Sequence, residues 1–164
     1  MKMIELIEVT DRKRFFNINQ KYLYEMTQFY DDPMDEEGNY HYGYFDLYFE
    51  GRPDRKAFYI NESGREVGFV MLNRYSHLGD EIDHAMAEFT IYPRYRRHGI
   101  ARRTAELLFT EYPGRWEIKY NILNGKAAEL WNSVAARYTP VKTRISNVEE
   151  VLSFTTPGPE CQEA

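Results

Sequence analysis

Cysteine is nearly missing from this 164-residue chain: Cys161 stands alone, in a polar tail behind Pro157-Gly158-Pro159. That excludes an internal disulfide framework and argues against a cysteine nucleophile, which needs a rigid element to aim it. No apolar run approaches membrane-spanning length, and the opening Met1-Lys2-Met3-Ile4-Glu5 has no apolar core of signal-peptide length. Together these lead us to expect a cytoplasmic protein with no membrane partner. Lys and Arg form no long block and the net charge is −5, so the footprint of a nucleic-acid binder is lacking. Repeats, low-complexity tracts and linkers are lacking as well.

What the chain does contain is an ordinary globular balance, 43% hydrophobic and 29% charged residues, in a length that suits one domain with a proper core. Rings are plentiful, with 14 Tyr, 10 Phe and 2 Trp. They suit either the cover of a twisted sheet or the walls of a cleft. The densest basic cluster runs from Arg94 to Arg103, opposite in sign to the whole protein, and points to a small anion rather than a polyanion.

Periodicity predicts a strand over Met3–Val9, then a helix capped by Thr10 or Asp11 and running to about Tyr30. An acidic loop, Asp31 to Gly38, precedes a short second helix over Tyr44–Glu50. Strands follow over Lys56–Asn61 and Glu66–Tyr75, joined around Ser63-Gly64, and over Asp83–Tyr92, stopped by Pro93. A helix from Gly99 to near Pro113-Gly114, a strand over Arg115–Leu123, a helix opened by Asn124 and two short strands complete the chain. The expectation is a single mixed α+β domain over residues 1–156, followed by a tail over 157–164.

Tyr92-Pro93-Arg94-Tyr95-Arg96-Arg97-His98-Gly99-Ile100-Ala101 carries the most chemistry. A strand ends at a proline, and a helix then starts on glycine and alanine. A helix start exposes unpaired N–H groups and roughly half a positive charge. Gly99 has no Cβ to hold an anion away, and Arg96 and Arg97 add fork-shaped donors. The arrangement suits a phosphate or pyrophosphate. It is neither a P-loop, since no Gly-Lys-Ser/Thr follows, nor a Rossmann fingerprint, since the spaced glycines are missing. Spacing alone leaves an ordinary helix start with solvated arginines equally open.

The run Arg96-x-x-Gly99-x-Ala101 behind Phe89-Thr90-Ile91-Tyr92-Pro93 resembles the coenzyme A signature of the GNAT (Gcn5-related N-acetyltransferase) superfamily. The element order agrees along nearly the whole chain. The resemblance implies a central mixed, mostly antiparallel sheet of six to seven strands, flanked by about four helices and splayed between its fourth and fifth strands. It implies acetyl-CoA as cosubstrate, no metal, and an amine acceptor, small molecule or peptide, for a monomer or homodimer. Amides of Arg97, His98, Gly99, Ile100 and Ala101 would cradle the pyrophosphate. Phe89, Thr90 and Ile91 would flank the pantetheine arm. A second motif, Asn124-Gly125-Lys126-Ala127, is similar to the family's helix opening, where the asparagine holds pantetheine; Asn124 reads equally well as a helix cap. Seven residues on, where many relatives carry a tyrosine acid, stands Trp131, whose indole N–H is no usable acid. The packed core is its simpler role.

An amine must lose a proton to attack a thioester, and Glu88 is the candidate base. Strand alternation places Glu88 and Thr90 on one face, Phe89 and Ile91 on the other. A structural ion pair is its plainer role. His84 falls on the Glu88 face by the same count and would suit a water relay. The acceptor pocket in this fold lies between the first helices, bringing Tyr24, Tyr30, Tyr40, Tyr42 and Tyr44 into view, with Tyr75 and His77 nearby. Two other functions compete with the acetyltransferase. One is a coenzyme A-binding sensor without catalysis, suggested by Trp131. The other is a binding module built on the Arg94–Arg103 cluster.

Overall fold

The computed structural model describes residues 2–159; Cys161 lies outside them. Strand β1 (Ile4–Glu8) leads to helix α1 (Arg12–Met26), which Asp11 caps by accepting the Arg14 amide at 3.1 Å. The helix stops four residues short of the expected Tyr30. Thr27 Oγ1 and Gln28 Nε2 take the last-turn carbonyls of Tyr24 and Glu25, which satisfies them without another turn. The chain then folds back, and the Gln20 side chain pins Tyr40 by donating to its carbonyl and accepting from its amide.

Of the four expected helices, the second is only a five-residue 3₁₀ turn, Phe45–Phe49. It buries Phe45 and Tyr48, and Gly51 behind it takes a positive φ of 67°. Strands β2 (Arg55–Glu62) and β3 (Arg65–Asn73) form the predicted hairpin, with Ser63 and Gly64 both at positive φ, as a two-residue turn of matching twist requires. Strand β4 (His84–Ile91), helix α2 (Ile100–Glu111), β5 (Gly114–Asn121), α3 (Gly125–Ala135), β6 (Val141–Arg144) and β7 (Glu149–Thr156) follow. No helix among the described residues is long and apolar enough to cross a membrane.

All seven strands join one sheet in the order β1-β2-β3-β4-β5-β7-β6, antiparallel except between β4 and β5. Each face buries its own core. Helices α2 and α3 cover one that includes Leu108, Phe109, Trp116, Ile118 and Trp131. Helix α1 and the 3₁₀ turn cover the other, with Phe15, Phe45, Phe69 and Met71. Phe109 sits edge-on to Trp116, Tyr138 and Phe154 at 5.2 to 5.7 Å, a favourable arrangement of ring quadrupoles.

Two irregularities position the site. The parallel pairing of β4 with β5 covers only His84–Met86 against Trp116–Ile118, beyond which the strands part. In β4, Ala87 is an extra residue: Met71 pairs with Glu88, while Leu72 pairs with Met86. Such a bulge bends a strand and reverses which face its later side chains occupy.

Candidate active site

Where β4 and β5 part, a cavity of about 480 Å³ opens. Its floor comes from the two strands, including Glu88, Phe89 and Lys119. Tyr22 of α1 and Tyr42 of the following loop form one wall, and Asn124 and Trp131 of α3 the other. An unpaired strand edge is rarely left bare inside a protein, because its N–H and C=O groups want partners. Tyr92 donates its amide to Val67 on β3 at 2.7 Å. By alternation, Phe89 and Ile91 turn their main-chain groups toward the split. The Ile91 carbonyl already accepts Arg96 Nε at 2.6 Å. Phe89 therefore presents main-chain groups to the cavity floor. Thr90, buried, directs its main chain to β3 and its Oγ1 to Arg96.

At the end of β4, the 3₁₀ turn Pro93–Tyr95 hands over to an extended Arg96 and then to two left-handed residues, Arg97 at φ 66° and Gly99 at φ 76°. Ile100 is buried and anchors the start of α2. The Gly99 carbonyl accepts Arg103 N at 3.1 Å, the first bond of the helix. The amides before it, Gly99 through Arg102, therefore lack intrahelical acceptors. A Cβ built on Gly99 would meet nothing within 4 Å, so the space above the helix start is open. Open space, unpaired amides and a helix dipole together fit a pyrophosphate. Arg97 and His98 are exposed beside it.

Arg96 behaves differently from the expectation that it would offer its fork to the anion. Both terminal nitrogens bind Glu25 of α1 at 2.7 Å, while Nε holds the Ile91 carbonyl. The guanidinium therefore braces the cradle against α1 instead of lining it. Glu25 is held below the ordinary carboxylate range, first by the hydrogen bonds from Arg96. Glu25→Ala is expected to weaken coenzyme A binding roughly three- to tenfold and to cost about 1 kcal/mol of stability, because one partner loses a partly buried bidentate pair. Calorimetric titration and thermal melting check both. Arg102 and Arg103 are likewise engaged, by Ser133 and by Glu62, so the Arg94–Arg103 cluster is dispersed rather than a single basic surface.

Glu88 projects onto the α1 face beneath Tyr22 and Tyr42. Burial pushes its carboxyl up to about 7, partly opposed by the Tyr22 hydroxyl, the Lys119 charge and the Tyr42 hydroxyl. Both tyrosines are pushed up in turn, mainly by their own burial and then by the Glu88 charge. His84 does not share this face. The Ala87 bulge puts it on the opposite side, 4.8 Å from the Trp116 ring, with Nε2 at 3.1 Å from the Pro113 carbonyl. Straight alternation across Ala87 made it a relay candidate; the bulge makes it a packing residue.

On α3, Asn124 caps the helix, its Oδ1 accepting the Ala127 amide at 3.3 Å, and both residues line the cavity. Trp131 is buried and meets Phe89 edge-on at 5.0 Å, packing the cavity wall. Tyr30, Tyr42, Tyr44 and His77 reach the cavity; Tyr24, Tyr40 and Tyr75 do not. Sequence reading missed the facing of Tyr22 toward Glu88, since its helical spacing reads as core. It missed Glu25 and Lys119 too, whose partners lie on distant elements. Buried Glu117, which accepts from Ser76 Oγ and from the His77 amide, ties the loop after β3 beneath the split. Among the described residues no three His, Cys, Asp or Glu side chains gather as metal ligands.

Comparison with known proteins gives this geometry its context. Curated protein sequences yield no match. An acetyltransferase structure from Thermus thermophilus superposes with a TM-score of 0.67 at 14% identity, over 93% of this chain and 97% of that one. Arabidopsis thaliana NAA60, solved with acetyl-CoA, gives 0.57 at 13% identity over 94% and 98%. The ribosomal-protein-S18-alanine N-acetyltransferase from Escherichia coli gives 0.57 at 14% identity over 95% and 94%. These similarities establish the fold. The family model described as "Acetyltransferase (GNAT) family" matches residues 15–135, from the α1 wall of the cavity to the end of α3. That span is well over half of the sequence and contains the cradle, the split and Glu88, and on it the chain belongs to the GNAT acetyltransferase family.

Proposed function

We propose that the protein transfers an acetyl group from acetyl-CoA to a primary amine by direct attack in a ternary complex. The observation that carries this reading is the parting of β4 from β5 beside Glu88, with the open helix start at Gly99 following the end of the same strand. Amides from Arg97 to Ala101 would hold the pyrophosphate, Phe89 the pantetheine arm, and Asn124 and Ala127 its other side. Acetyl-CoA supplies an acyl carbon activated as a thioester: the amine nitrogen bonds to that carbon, the C–S bond breaks, and CoA leaves as a thiolate that takes up a proton. Glu88 takes the proton from the incoming amine, directly or through water; a carboxyl near 7 suits that task at neutral pH. Tyr22 and Tyr42 border Glu88, and their hydroxyls favour its charged form. The relatives named above support an amine acceptor, one being named for acetylating an alanine nitrogen.

Calorimetry with acetyl-CoA, CoA and ATP tests the donor. Binding of both CoA species and not ATP is the expected result, and binding of neither CoA species would remove the proposal. Trp131 motivates the second reading, a coenzyme A-binding sensor or scaffold without catalysis. Thiol release across a broad amine panel separates the two. Tight CoA binding with no turnover above background would establish the sensor. Because Trp131 packs against Phe89, Trp131→Phe is expected to keep kcat within about threefold. A hundredfold drop would make the indole N–H part of the chemistry.

A further inference from the structure

Arg55 opens β2 with only 8% of its surface exposed, yet no carboxylate lies within ion-pair distance of it among the described residues. Its neighbour Asp54 is engaged by the Arg52 fork at 3.0 and 2.9 Å and by the Tyr75 hydroxyl. Instead, three rings surround the guanidinium: its carbon lies over Tyr75 at 4.7 Å, Tyr44 at 5.0 Å and Tyr48 at 5.6 Å. Cation–π contact offsets part of the desolvation of a buried charge, but it accepts none of the N–H groups. Nε is buried without a hydrogen-bond partner. Rings against the guanidinium leave its edge donors for an acceptor in the plane, which is how a carboxylate binds arginine.

This cage adjoins the proposed acceptor cavity. Tyr44 lines the cavity, and so does Asn73, the register partner of Arg55 on β3. Tyr44 and Tyr75 are 61% and 47% exposed, while Tyr48 and Arg55 are buried, so the guanidinium lies behind the outer rings. Arg55 alternates with Ala57, which pairs with Met71, which pairs with Glu88, so Arg55 and Glu88 share the α1 face of the sheet. They stand two strands apart, about 10 Å, and two residues along, about 7 Å. Glu88 lines the cavity, and Arg55 lies behind its wall at Tyr44 and Asn73. One end of the face carries an uncompensated positive charge, the other a carboxylate poised to accept a proton.

We infer that the acceptor is a zwitterion, a free amino acid or very short peptide, whose carboxylate docks on Arg55 while its amine reaches Glu88. The inference rests on the acetyl-transfer reading and narrows it. The test uses the full chain saturated with CoA and calorimetric titration of matched pairs: common free amino acids against their carboxamides and decarboxylated amines, with aminophosphonates as a further arm. At least one amino acid is expected to bind about tenfold or more tighter than its carboxamide, the loss of a charge-assisted bidentate contact. Arg55→Gln, checked for folding by thermal melting, should shrink that gap to about twofold, and Arg55→Lys should leave it intermediate, since the charge stays and the fork is lost. Equal affinities throughout the pairs, no binding by any member, tighter binding of the phosphonates, or a gap unchanged in folded Arg55→Gln would each overturn the inference. Should Arg55→Gln fail to fold, the wild-type pairs decide alone. Titration reads binding, so carboxylate-dependent binding without thiol release leaves the inference standing and removes the transferase reading. Turnover of amines regardless of a carboxylate does the reverse.

Discussion

Glu88→Gln is expected to lower kcat by about 10² to 10⁴-fold, the usual contribution of a positioned general base, while coenzyme A affinity stays within about twofold. In the wild type, kcat/KM should rise with pH through about 7, where the Glu88 carboxyl loses its proton. In Glu88→Gln that step should vanish, leaving only the titration of the amine itself. Thiol-release kinetics across pH 5.5 to 9 distinguish the two profiles. A full rate in the variant, or a profile that keeps its step near 7, would take the base role from Glu88.

The same carboxyl predicts an effect on folding that needs no substrate. Burial raises Glu88 from an ordinary 4.5 to about 7, so the fold disfavours its charged form. Stability is therefore fully present below the unfolded value and is lost as pH rises through the folded one. Glutamine carries no charge to desolvate. At pH 8 Glu88→Gln should be more stable than wild type by on the order of 1–2 kcal/mol, and the difference should close toward pH 4. Higher stability together with lost turnover in Glu88→Gln would mark a stability–activity trade-off.

Gly99→Val is expected to weaken coenzyme A binding at least a hundredfold, worth about 3 kcal/mol, because it acts at the anion itself. The left-handed backbone at φ 76° disfavours a β-branched residue by roughly 1–3 kcal/mol, so the start of α2 shifts or strains. The added side chain also enters the open space where the phosphates would sit. Strain and obstruction can be separated. Gly79 has a positive φ of 79° and equally open surroundings, but it lies in the loop before β4, at the other end of that strand from the cradle. Gly79→Ala and Gly99→Ala should cost similar stability, near 1 kcal/mol, yet only Gly99→Ala should lose cofactor affinity. Equal affinities for the two variants would show that the amides of this turn hold no phosphate.

Much of this site could be read before any fold was known, because its parts are local. A strand stopped by Pro93, a glycine six residues on and an apolar stripe from Ile100 lie within one short segment, where hydrogen-bond geometry depends on neighbours in sequence. The Asn124 cap and the Ser63-Gly64 hairpin are local in the same sense, and both appear where expected. Alternation placed Glu88 and Thr90 together correctly, since both lie beyond the bulge. It failed for His84, because a bulge depends on register against β3 and leaves no mark in β4 itself. The end of α1 was overestimated because apolar residues continue past Met26, while Thr27 and Gln28 close the helix with their side chains.

Residue chemistry and spacing alone placed a helix start on Gly99 whose free amides suit an anion, behind a strand that carries Glu88 and Thr90 on one face. Only the tertiary structure decided what that carboxylate and the arginines do. Arg96 meets Glu25 across 71 residues and becomes a brace. Glu88 is raised by walls drawn from α1 and the loop that follows it. Arg55 stands out because no carboxylate comes within ion-pair distance of it among the described residues. Charge pairing and desolvation depend on distances across the fold, which sequence separation does not encode, so a cation's lack of a counter-charge emerges only when the chain is folded.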